Sequence, residues 1–300
     1  MKDKKIYQLF IVIYLVVNST LNAQSLLDKL NNEFTYKPVY EIATFKTTRI
    51  GLSHSIETRK KGALQISLYN RYWNIPNFGG ERFLADKIST RYGLEYALSD
   101  NFTVGLGYTN FDKISDGYLK YKLLKQQRET KKAPITITLL QVISNKKRTS
   151  TDVYGKESPA NNYAFTSQVL IAKKLNSYLS IQITPTIIHR IATIKNNDPN
   201  SQFAIGFGGR HKIGNHTSIV SEYYYVANPL KSMNTYNPFM IGLNWELSHL
   251  LLQFHITNTR NFAEDTFITQ TTNNFNFKDP NLHFGFNATF VLHTKKRKLK

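Results

Sequence analysis

The chain has 300 residues, a length that suits one large β domain, and its lack of cysteine excludes disulfides and thiolate metal sites. Lysine and arginine number 39 against 20 acids, a formal net charge of +19. Such basicity points to nucleic acid, an anionic membrane surface or anionic solutes, and the N-terminus decides between them.

MKDKKIYQLFIVIYLVVNSTLNAQ places Lys2, Lys4 and Lys5 ahead of an apolar run over 9–17, followed by small and polar residues up to Ala23. That is the layout of a secretory signal peptide over residues 1–23. The run falls short of the roughly 20 apolar residues that a spanning helix needs. Export removes nucleic acid as a partner. Residues 24–62 form a leader. In it SLLDKLNNEF (25–34) carries Leu26, Leu27 and Leu30 at helical spacing, while 45–62 is polar and basic with no sustained strand period.

From Ala63 onward the chain alternates. Leu64, Ile66 and Leu68 are offset from Gln65 and Ser67, and the inward set continues to Arg71. Tyr92, Leu94 and Tyr96 oppose Arg91, Gly93 and Glu95; Leu119, Tyr121 and Leu123 oppose Lys120 and Lys122. Ile181, Ile183 and Ile187 oppose Gln182, Thr184 and Arg190. In FAIGFGGRHK (203–212), three close glycines beside Arg210 suggest a phosphate loop, but their spacing is not G-x-G-x-x-G and no helix period follows. Phe203, Ile205 and Phe207 alternate there with Ala204, Gly206 and Gly208, so the stretch reads as a strand. Glu222 lies on the next strand. Trp245, Phe254 and Phe284 then share the apolar phase, opposite Glu246, His255 and His283.

About twelve such segments, each near ten residues, match the dyad pattern of tilted strands that cross an outer membrane. The mean hydropathy of −0.37 is no objection, because only alternate residues face lipid. Tight turns at 99–101, 174–177, 213–216 and 248–249 separate longer links at 74–88, 145–162, 191–201, 227–237 and 260–281, with 127–134 a moderate case on the short side. Short periplasmic turns and longer outer loops are the habit of such barrels. The expected architecture is therefore all-β: a single transmembrane antiparallel β-barrel over 63–292, followed by a basic tail, 293–300, ending KKRKLK. Leu106, Ile183, Phe207, Leu243 and Phe286 should face lipid, and Gly107, Thr184, Gly208, Asn244 and Asn287 the interior. The leader then has two homes, the periplasm or the lumen. The expectation here is that 45–52 enters the lumen and that Arg49 meets Glu95 or Glu222.

FKTTR (45–49), HSIETRKKG (54–62), DGYLKYKLL (116–124), AIGFGGRHKI (204–213), EYYYV (222–226), FITQTT (267–272) and HFGFN (283–287) together resemble a bacterial β-barrel family known as a domain of unknown function, DUF5777. The resemblance runs from about Phe45 to Leu292. It implies an outer-membrane barrel and brings no catalytic or ligand residues.

The residues offer no enzyme signal. Eight histidines include no HExxH and no paired carboxylate at metal-ligand spacing, and no GxSxG occurs. Asp198, Glu264 and Asp265 lie on long links and read as solvated loop charges. No cofactor is expected. Arg71, Arg91, Glu95, Lys120, Lys122, Arg190, Arg210, Glu222, Glu246, His255 and His283 are the expected lumen lining. Two functions follow: a narrow pore with a basic lumen for small anionic solutes, or a plugged barrel in which acids pair with the basic residues and outer loops bind an envelope protein. Outer-membrane lipid is the partner common to both.

Overall fold

The computed structural model describes residues 38–73, 85–128, 133–151, 157–160, 162–195, 197–275 and 282–293. The expected signal peptide, the helix expected over 25–34 and the tail beyond His293 lie outside the described residues. Residues 40–300 belong to one unit, the barrel; of the other unit, 1–39, only residues 38 and 39 are described.

The strands in chain order are β1 (Ala63–Trp73), β2 (Lys87–Ala97), β3 (Phe102–Thr109), β4 (Ile114–Leu124), β5 (Thr136–Lys146), β6 (Arg148–Thr151) and β7 (Glu157–Ala160). They continue with β8 (Tyr163–Lys174), β9 (Leu179–Arg190), β10 (Ser201–Lys212), β11 (Thr217–Val226), β12 (Phe239–Leu247), β13 (Leu250–Thr257) and β14 (His283–His293). β6 and β7 pair only with each other, inside the link from β5 to β8. The other 12 close into an antiparallel barrel in which β1 pairs with both β2 and β14. Tyr69, for example, stands opposite Arg91 on one side and Asn287 on the other. Closure leaves no edge with unpaired backbone groups, which hydrocarbon would penalise heavily.

Alternation sets the two faces. Leu106, Tyr92, Leu123 and Phe207 are exposed on the outside, while Gln65, Thr103, Lys120 and Thr184 are buried inside. The links alternate as expected, the β4–β5 link (125–135) again being the moderate case at the short-turn end, with one further departure. The β3–β4 link, a 3-10 turn at Phe111–Lys113, is short although it lies at the long-link end.

The interior departs from a watery lumen. Leu140, Val142, Leu170, Ile188, Val220 and Met240 point inward and join Phe45, Ile50, Leu52 and Ile56 of the leader in one apolar cluster. Phe267 and Ile268 of a short helix, α1 (Glu264–Thr269), complete it. Each large apolar side chain buried in this way contributes roughly 1.5–3 kcal/mol. The reason is local: β5, β8, β9 and β11 each carry an apolar residue at one or two inward positions among polar ones, beside an apolar outward neighbour, as in Leu139-Leu140 and Ile187-Ile188.

Candidate functional site

The site is the filled lumen. The leader enters at the short-turn end, where Glu41 N–H donates to the Gln126 carbonyl and Glu41 pairs with Lys174 at 3.2 Å. It then forms a hairpin within the barrel, called the strap below. Ser55 N–H donates to the Thr48 carbonyl and Ile50 N–H to the Ser53 carbonyl, and Arg49 bridges His54. The strap leaves at Gly62, whose N–H donates to the Ala97 carbonyl as β1 begins.

A strand-like segment with no sheet to join must find other partners for its buried backbone groups. Wall side chains supply them. Glu222 accepts from Leu52 N–H, and from Ser53 N–H at 3.1 Å. The Lys120 ammonium donates to the carbonyls of Thr48, Ser55 and Glu57 at 2.8, 3.2 and 3.3 Å, using all three of its protons. Gln182 accepts from Ile56 N–H at 3.0 Å and donates to the His54 carbonyl at 2.9 Å. Thr138 donates to the Ile56 carbonyl, and Gln253 to the Ile50 carbonyl. Inward glycine makes the space: a Cβ at Gly208 would lie 2.4 Å from Ile50 Cδ1.

The second filler comes from the long-link end. Asp198, Glu264 and Asp265, expected as solvated loop charges, are buried. The link after β13 folds back into the barrel mouth and carries α1 with it. Glu264 is fully buried and meets Arg49 Nη1 at 3.0 Å and His54 Nε2 at 3.4 Å. Asp265 accepts from Ser144 Oγ at 2.7 Å, and its carbonyl accepts from Arg190 at 3.0 Å. Strap and helix therefore meet inside the lumen, one from each end. Asp198 instead ties two outer links together. It accepts from Lys195 N–H at 3.1 Å, and from Lys231 and Ser232 N–H, both at 2.9 Å. Burial pushes its pKa up, but these hydrogen bonds and that of the Ser232 hydroxyl outweigh burial and hold it below the usual carboxylate value.

The sequence-derived lining residues are distributed around this filler. Arg91 pairs with Asp116 across Gly107, where a Cβ would lie 2.0 Å from Arg91 Nη2. Arg210 pairs with Glu246 at 3.3 Å, and Glu246 also with Lys46 of the strap at 2.7 Å. Lys122 pairs with Glu57 of the strap at 3.3 Å. Glu95 accepts from the Thr48 hydroxyl at 2.9 Å, so the expected meeting of Arg49 with Glu95 or Glu222 gives way to Arg49 with Glu264. Glu222 is occupied by backbone N–H groups. Arg71, His255 and His283 are buried on the same side of the barrel, on β1, β13 and β14. Among the described residues no group of three potential metal ligands occurs. The lumen holds many cations, but most are matched by an acid or by carbonyls.

The family model for a membrane-bound β-barrel domain, DUF5777, matches residues 45–292. The matched range includes the strap as well as the strands. A search of curated proteins finds no match. Among solved structures, the chain is similar to a KdgM porin in complex with disordered oligogalacturonate, at 7% identity and TM-score 0.47, covering 77% of this chain and 99% of that one. It is also similar to the COG4313 outer membrane channel from Pseudomonas putida F1, at 14% identity and TM-score 0.44, covering 79% and 98%. The NanC porin follows at 8% identity and TM-score 0.45, covering 77% and 100%.

Proposed function

Because the chain belongs to the DUF5777 family of membrane-bound β-barrel domains, we propose that it is an outer-membrane channel closed at rest by its own N-terminal strap. In this reading small anionic solutes pass when the strap leaves the lumen. The observation that carries it is the chemistry between strap and wall. Glu222, Lys120, Gln182 and Gln253 hold the strap by hydrogen bonds to its backbone. A permanent filler gains little from buried ions, since well-packed apolar replacements are often as stable or more so. A polar interface differs in one respect: water can take over each hydrogen bond when the strap withdraws.

The apolar cluster joining Phe45, Ile50, Leu52 and Ile56 to the wall favours a second reading, a permanently plugged barrel whose outer loops bind an envelope protein. Replacing residues 44–57 by a Gly-Ser linker of equal length tests whether the lumen is a conduit at all. In planar bilayers the replaced barrel should carry a steady current that exceeds that of the full chain at least several-fold. A folded but silent barrel would remove the channel reading.

A further inference from the structure

We propose that the wall of the lumen holds a binding site for a compact oxyanion of the carboxylate class, between the free edge of Arg71 and the imidazole of His255. Arg71 is fully buried, and none of the ion pairs among the described residues involves it. Its Nη1 donates to Thr259 Oγ1 at 2.7 Å and to the Asn261 carbonyl, and its guanidinium lies 4.1 Å from the centre of the Phe262 ring. Nε and Nη2 are buried with no hydrogen-bond partner among the described residues. That pair forms the side-on edge with which arginine takes a carboxylate in two parallel hydrogen bonds.

His255 is 2% exposed, and neither ring nitrogen has a partner among the described residues. The register brings the two side chains together: Gly285 of β14 is the partner of Arg71 on β1 and of His255 on β13. With no side chain at Gly285, the imidazole lies across it toward β1; a Cβ there would fall 2.0 Å from His255 Nε2. Native proteins rarely leave this many buried donors unmatched without an ion or water between them. A buried cation without an acid calls for an anion. The nearby acid on β11, Glu222, spends both oxygens on the strap.

A cavity lies next to the site. It has a volume of about 210 Å³, lies at the long-link end and is lined by Phe111, Lys146, Arg260 and Asn261, among others. Arg71 is one hydrogen bond behind that lining, through the Asn261 carbonyl. Arg260 in the lining has no ion pair among the described residues and lies 5.3 Å from the centre of the Trp73 ring. Of the two cations lining that cavity, Lys146 is paired with Asp112, which leaves Arg260 there and Arg71 with its open bidentate edge behind it to suit a solute that carries a carboxylate.

The proposal rests on the channel reading only for the biological meaning of the anion, because its test reads binding and not current. The full chain, refolded in detergent, is titrated with sodium formate, with sodium chloride replacing it at constant ionic strength. Thermal unfolding is followed throughout. Formate should raise the unfolding temperature saturably, and Arg71→Gln should abolish the shift. Gly285→Ala should weaken formate binding at least tenfold by displacing the imidazole without changing any charge, and it carries the test if Arg71→Gln does not fold. No formate-specific shift in the wild-type chain overturns the proposal, and so does a shift that survives Gly285→Ala unchanged.

Discussion

Phe207 and Gly208 are neighbours in β10 that face opposite media, so the same change should have different consequences at each. Phe207→Arg places a charge on the lipid face and should cost about 2–4 kcal/mol near the midplane, read from reversible unfolding in lipid vesicles. Gly208→Ala meets Ile50 and should instead loosen the strap, seen as faster proteolysis within 45–57 while the strands stay protected. Equal global destabilisation by both would contradict the face assignment. Asp198 gives a pH signature in the outer links. Its pKa is lowered on folding, so the stability that it contributes is present above the ordinary aspartate value and lost as pH falls through the folded one. Amide exchange at Lys231 and Ser232 should therefore accelerate below about pH 4, near the ordinary aspartate value. Asp198→Asn should remove that pH dependence and leave fast exchange at neutral pH.

The strap and α1 are the elements that turn a barrel into a closed one, and they were the least legible in the sequence. Alternation showed the strands, because a period of two survives whatever the neighbours do. Link lengths showed which ends of the strands lie together. The strap has no period to read: its order comes from Lys120, Gln182 and Glu222, which are distant in sequence. Glu264 and Asp265 looked like loop charges because burial of a long link depends on a cavity that only the closed barrel creates. Pairing of inward acids with bases is expected from the sequence, but which acid meets which base is not, since Arg91 finds Asp116 only through the register of β2, β3 and β4 across Gly107. One signal was available. Consecutive apolar pairs such as Leu139-Leu140 and Ile219-Val220 put an apolar residue on the inner face where a watery lumen would have a polar one, and so mark a filled interior. The contact between the two fillers has a thermodynamic test. Arg49→Met or Glu264→Leu alone leaves a buried charge unpaired and should cost on the order of 3–5 kcal/mol of strap docking. The double variant should recover most of that loss; additive losses in the cycle would show that the two groups do not interact.

For the whole molecule the central claim is that a sealed 12-stranded barrel opens when the strap moves and the wall stays in place. The chain lacks cysteine, so a single engineered disulfide can test this without background. Ile50→Cys combined with Gly208→Cys places one thiol on the strap tip and one on the wall, at positions already in contact. Single-channel current is then recorded from the same protein oxidised and after reduction. The account predicts no openings when the disulfide is formed and openings that appear when dithiothreitol is added. The same current in both states, or none in either, would contradict it.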